Sequence, residues 1–249
     1  MVRSSAGAVL LLLAASLADA AEHNSLTPEE RRAGFQLLFD GRSLDGWELA
    51  RALPLGKWVA EDGCLVPTGR PGELMTTAPY GDFELLFDWK IARGGNSGVM
   101  YRVEKQHHPP TSGPEYQLLD AQVHSDGRHE DRKTASAYAV FAPKAAAPRP
   151  PGEWNTGRIV ARGPRIEHWL NGVKVLGYEI GSPEWTARVA AGKFARHKQY
   201  GRASRGHIVL QDHGSPVWFR NLKLRLLDAT TAAAARSAGC PLRRARSGR

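Results

Sequence analysis

Hydrophobic and polar positions alternate most cleanly between Asp82 and Asp120. In Phe83–Ile91, the residues Phe83, Leu85, Phe87, Trp89 and Ile91 fall on one side, and Glu84, Asp88 and Lys90 on the other. A period of two is that of a strand with one buried face. The stretch Gly94–Gly98 (GGNSG) is expected to turn the chain, after which Val99, Tyr101 and Val103 resume the alternation. After a loop at 107–114, Glu115 and Gln117 share one side of a third strand, with Leu118 opposite. Two polar side chains on one side of an otherwise apolar strand suggest a sheet face that handles a polar ligand.

The rest of the chain reads as a frame for that face. Residues 25–33 predict a short helix with Thr27 as N-cap, Pro28 in the first turn and Glu30 completing a capping box. Short strands are expected at 58–67, 73–76, 137–141, 154–162, 165–170, 207–212 and 217–227. Asp40-Gly41 and Asp45-Gly46 are turn pairs, and Asn171-Gly172 between alternating runs is a strong hairpin signal. Residues 143–152 form a Pro-rich surface loop, and 180–206 a short helix plus loop. About a dozen short strands with Gly, Pro and Asn turns predict an all-β sandwich of two antiparallel sheets. There is no βαβ alternation, Gly-rich phosphate loop or long repeat.

The first 20 residues carry Arg3, an apolar run from Ala6 to Leu17, and Ala18-Asp19-Ala20. They are expected to be a secretory signal peptide cleaved after Ala20, which makes the mature protein periplasmic or secreted, with no stable membrane insertion. Residues 21–32 are then a lead-in, 33–228 one domain, and 229–249 a disordered basic tail. That tail holds five of the positive charges and no acidic residue, so of the net +9 only +4 belongs to the body. No basic helix with interleaved aromatics appears, which argues against nucleic acid. The two cysteines, Cys64 and Cys240, suit neither a disulfide framework nor a metal-site spacing.

Candidate chemistry lies at Glu115, Gln117 and Asp120, at Asn96, at Trp154-Asn155 and at Gln211-Asp212-His213, with Arg102 and Arg220 as further polar contacts. Retaining glycoside hydrolysis needs two carboxyl groups about 5–5.5 Å apart. The alternate strand positions here are a carboxylate and an amide, so that strand does not supply the pair. Proton abstraction with elimination needs less: a group such as His213 near neutral pKa, and something to stabilise an enolate. The loop 120–134 gathers His124, Asp126, His129, Glu130 and Asp131, but its spacing matches no familiar metal-ligand pattern, and a solvated loop is the expectation.

The segments FQLLFDGRSLDGW, GDFELLFDWK, GNSGVMYR, PEYQLLD, GEWNTGRIVARG, HWLNGVKV and IVLQDHGSPVWFRNLKL, running from Phe35 to Leu227, together resemble the 3-keto-disaccharide hydrolase family. The resemblance implies a concanavalin A-like jelly roll in an exported protein that cleaves the glycosidic bond of sugars oxidised at C3. A base would take the C2 proton and the C1 substituent would leave, so that the reaction either stops at a 2-hydroxyglucal or continues by its hydration to a net hydrolysis. On that footing Glu115 and His213 are the candidate proton-transfer groups. Asn96, Arg102, Gln117, Asp120, Trp154, Asn155, Gln211, Asp212 and Arg220 match family positions as candidate substrate contacts. Asp120 or Asp212 would orient a partner or hold a divalent cation chelated by the ketone and a neighbouring hydroxyl; the sequence does not establish such a cofactor. The competing reading is a non-catalytic carbohydrate-binding module of the same fold.

Overall fold

The computed structural model describes residues 23–51 and 55–227. The expected signal peptide with its cleavage position after Ala20, Cys240 and the basic tail all lie outside these residues. Thirteen strands are described: β1 (Gln36–Leu37), β2 (Trp47–Leu49), β3 (Leu55–Glu61), β4 (Cys64–Arg70), β5 (Leu74–Thr76), β6 (Phe83–Ile91), β7 (Asn96–Val103), β8 (Glu115–Leu119), β9 (Asn155–Arg162), β10 (Arg165–Leu170), β11 (Val173–Glu179), β12 (His207–Leu210) and β13 (Val217–Leu226). The α-helices among the described residues are α1 (Pro28–Arg32) and α2 (Pro183–Ala191). One sheet runs β11-β10-β9-β6-β13-β4-β3, with β1 added along β13, and the other runs β2-β5-β12-β7-β8. Both are antiparallel, and the fold is the expected two-sheet jelly-roll sandwich.

The alternation in β6 is the reason the sheets pack. Phe83, Leu85, Phe87, Trp89 and Ile91 are all buried and face the second sheet. Phe83 meets Tyr101 of β7 at a ring separation of 6.3 Å, and Phe87 meets Tyr116 of β8 edge-on at 5.3 Å. Burial of five such side chains stabilises the fold by roughly 10 kcal/mol against leaving them in water. Phe87 fits because its partner across the strand pair is Gly157 of β9, where a Cβ would stand 2.2 Å from the ring.

Several local expectations hold. Thr27 caps α1 with a complete capping box. Asn171 and Gly172, at φ 48° and 82°, close the β10–β11 hairpin. Others need correction. The 58–67 stretch is not one strand: Asp62 and Gly63 adopt positive φ and fold it into the β3–β4 hairpin. The expected strand at 137–141 is a tight loop closed by single bridges from Ala137 to Tyr116 and Phe141, with Ala135 and Ala139 at positive φ. The Gly-rich turn ends at Gly95, so Asn96 is a strand residue paired with Leu119. No helix among the described residues is long and apolar enough to cross a membrane.

The core also holds a polar network that periodicity did not announce. His168 of β10 is fully buried, with Nδ1 3.0 Å from the Ala135 carbonyl and Nε2 2.8 Å from the Tyr101 hydroxyl, which bonds in turn to the Tyr178 hydroxyl. Burial pushes the imidazole down to about 4, so it is neutral: Nδ1 donates to the carbonyl and Nε2 accepts from Tyr101.

Candidate active site

Strand β8 places the site. Tyr116 and Leu118 enter the core, so Glu115 and Gln117 point out of the opposite face of the smaller sheet. Neither reaches open water. Glu115 is 5% exposed and Gln117 1%, because other segments close over them. A pocket of about 50 Å³ is left, lined by Asn96, Pro110, Glu115, Gln117, Tyr138, Lys193, Phe194, Gln211 and His213. β7 brings Asn96, β12 delivers Gln211 and His213 just past its end, and the residues after α2 bring Lys193 and Phe194. Five of the sequence candidates, Glu115, His213, Asn96, Gln117 and Gln211, therefore converge.

The Glu115 carboxyl lies across its neighbour strand. A Cβ on Gly98 of β7 would sit 2.0 Å from Glu115 Oε1, so only glycine leaves room for this conformation. Burial pushes the Glu115 pKa up to about 8, against a lowering by Lys193 and with Glu73 and Asp126 adding to the rise. The carboxyl is accordingly protonated at neutral pH. Lys193 reaches over the Tyr138 ring, 4.5 Å from its centroid, and forms part of the wall. Gln211 Oε1 is buried and has no hydrogen-bond partner among the described residues, which leaves it free to accept from a ligand hydroxyl.

The other six sequence candidates lie elsewhere, each with a visible structural task. Arg102 is buried against Asp82, with further bonds to the Gly81 and Gly163 carbonyls, and borders a separate 870 Å³ cavity between α2 and residues 194–204. Asp120 accepts from the backbone N–H groups of Gly94 and Gln122, on the edge of a 550 Å³ cavity. Asp212 accepts from those of Gly72 and Gly214. Asn155 accepts from the Arg149 backbone and from Asn171. Trp154 is covered by the Arg220 guanidinium at 3.9 Å, and Arg220 lies 3.6 Å from Asp88; these belong to the outer face of the larger sheet, away from the pocket. Each of these residues has its polar or flat face engaged by protein, so the motif matches mark architecture as much as chemistry.

Sequence reasoning missed Tyr138, Lys193, Phe194 and Pro110. Lys193 and Phe194 fall in a basic stretch without periodicity, and only the return of the chain after α2 sets them above β8. The 120–134 loop disperses its acidic and imidazole groups: Asp126 bonds Arg132 and Tyr138, Glu130 pairs with Lys133, and His124 turns toward Asn96. Among the described residues no three His, Cys, Asp or Glu side chains cluster as metal ligands.

Residues 34–225 match the family model described as a 3-keto-alpha-glucoside-1,2-lyase-like domain. A 3-keto-disaccharide hydrolase of Bacteroides thetaiotaomicron is 31% identical over 243 residues, covering 84% of each chain. Two crystal structures from Parabacteroides distasonis, each named a "putative glycosyl hydrolase", are also similar. One has 36% identity, a TM-score of 0.77, and covers 83% of this chain and all of its own. The other has 28% identity, a TM-score of 0.59, and covers 73% and 99%.

Proposed function

Because the chain belongs to the 3-keto-alpha-glucoside-1,2-lyase-like family, we propose that it cleaves glycosidic bonds of sugars carrying a ketone at C3, and does so by elimination in the Glu115–His213 pocket. The observation that carries this reading is a buried carboxyl, protonated at neutral pH, sharing one small pocket with the exposed imidazole of His213. Among the described residues Glu115 is the one carboxyl lining that pocket, so the paired carboxylates of retaining hydrolysis are not at hand there.

The steps follow from these groups. A neutral imidazole at His213 takes the proton from C2, which the C3 ketone acidifies, and the C–H electrons form an enolate. Those electrons return to make the C1–C2 double bond as the C1–O bond breaks. Glu115 gives its proton to the departing oxygen. The products are an unsaturated 2-hydroxy-3-keto sugar and a free alcohol, leaving Glu115 as carboxylate and His213 as imidazolium. Addition of water by the reverse path, with Glu115 accepting the water's proton and His213 returning one to C2, completes a net hydrolysis. Gln211 Oε1 accepts a sugar hydroxyl, and Lys193 counters the enolate charge. A 50 Å³ space admits one or two waters and no sugar ring, so Lys193 and Phe194 move outward when substrate enters.

A divalent cation would find the Glu115 carboxyl, the His213 imidazole and Gln211 Oε1 as donors in the pocket, a set with a single carboxyl and no cluster of three His, Cys, Asp or Glu among the described residues; it fits a cation poorly, and no step is drawn through one. Export through the leader at 1–20 is part of the same proposal, since a 3-keto sugar taken from outside the cytoplasm suits a secreted enzyme.

The test is incubation with a 3-keto-glucoside in D2O, comparing wild type with Glu115→Gln and His213→Ala. Wild type should release alcohol and an unsaturated or C2-deuterated sugar, and both variants should lose at least a hundredfold in kcat. Unchanged turnover in both variants, or release of alcohol with protium retained at C2, would sink the mechanism.

A further inference from the structure

Four side chains from three elements form a chain of hydrogen bonds that ends on Glu115. One amide atom of Gln117 lies 3.0 Å from Glu115 Oε1 and 3.0 Å from the Ser97 carbonyl oxygen. A peptide carbonyl only accepts, so that atom is the amide nitrogen. The Gln117 amide oxygen then faces the Asn96 amide at 3.2 Å, which requires the Asn96 nitrogen on that side. The Asn96 amide oxygen is left facing His124 Nε2 at 3.4 Å. At the far end the Asp126 backbone N–H donates to His124 Nδ1 across 3.1 Å, so the imidazole proton is on Nε2 and donates to Asn96. A fixed backbone donor at one end and a fixed backbone acceptor at the other agree on the direction.

We propose that His124 is a positioning residue for the acid: through Asn96 and Gln117, and together with the Ser97 carbonyl, it holds an amide N–H, and not an amide oxygen, against Glu115 Oε1, and so leaves the acid proton on Oε2. Reversal of the chain would set an amide oxygen beside Oε1. The carboxyl would then donate its proton sideways to Gln117 and no longer offer it to a leaving group. Asn96 and Gln117 are 4% and 1% exposed, with both ends of each amide engaged, so they serve this chain and not the hydroxyls of a sugar. The inference rests on Glu115 acting as the acid, but the geometry stands apart from the activity.

The groups that face Glu115 are Lys193, Glu73, Asp126, Tyr138, Tyr200 and His213. Asp126 and His213 also lie against His124, through the Asp126 backbone N–H and at a ring separation of 6.2 Å, so the difference between a variant that removes the ring donor and one that restores it reports the chain. The experiment compares wild type with His124→Phe, which keeps the ring and removes the donor, and with His124→Gln, whose amide nitrogen restores a donor near the Nε2 position. Glu115 is titrated directly by 13C NMR of its carboxyl carbon, and kcat and KM are measured against pH on a 3-keto-glucoside. His124→Phe should move the Glu115 titration upward, because the Ser97 carbonyl alone then orients the Gln117 amide and the carboxylate's N–H donor is held less firmly, and should lower kcat up to about tenfold with little change in KM, the rate equivalent of one hydrogen bond to a charged group. His124→Gln should bring both back toward wild type. An unmoved Glu115 titration in a folded His124→Phe protein overturns the proposal. A moved titration in a protein without turnover of any 3-keto-glycoside leaves the chain standing and removes the reaction assigned to it.

Discussion

Replacing Glu115 by Gln should stabilise the protein, and by an amount that grows with pH. In the folded chain burial holds the carboxyl at about 8, against an ordinary value of 4.5. Between those values the unfolded chain has released the proton and the folded chain still holds it. Stability therefore falls as pH rises through this window, and is lowest above the folded value. The full gap corresponds to about 5 kcal/mol, of which about 3 to 4 kcal/mol develops between pH 5 and pH 8. Gln has the same shape and does not ionise, so the difference between the two proteins isolates this one group from every other titration. Urea denaturation at half-unit steps from pH 5 to pH 8 measures it: the curves should nearly meet at pH 5 and separate by several kcal/mol at pH 8, with the variant higher. Parallel curves would mean that Glu115 ionises at an ordinary pH in the folded protein, and the argument for a neutral acid at pH 7 would go with it. The sign is also informative about function, because a residue that costs the fold this much at its working pH is kept for its chemistry.

Three other outcomes follow from particular contacts. Gly98→Ala puts a methyl 2.0 Å from Glu115 Oε1; kcat should fall at least a hundredfold while circular dichroism stays native, and an active variant would show that the carboxyl need not lie over β7. Gly157→Ala drives a methyl into the Phe87 ring at 2.2 Å and should cost about 1–3 kcal/mol in urea denaturation with no change in the pH profile. The His168 imidazole, held near 4 against an ordinary 6.5, binds its proton more readily in the unfolded chain, so stability should drop as pH falls below 6.5, by up to about 3 kcal/mol near pH 4; His168→Asn should flatten that limb, and an unchanged acid slope would count against a neutral buried ring.

The sequence alone determined the two-sheet sandwich. Period-two alternation states which side of each strand avoids water, and Asn171-Gly172 and the Thr27 capping box encode their own geometry within three or four residues. It also marked Glu115 and Gln117 as polar groups sharing a strand face. It did not decide which of the motif residues meet. Arg102, Asp120, Asn155 and Asp212 look as chemical as His213 in one dimension, yet each is spent on backbone or ion-pair contacts made by chain up to 140 residues away. Only the tertiary structure lays Lys193 and Phe194 over β8, excludes water from the Glu115 carboxyl and raises its pKa. Desolvation depends on every segment that covers a group, and a linear pattern records only that group's near neighbours.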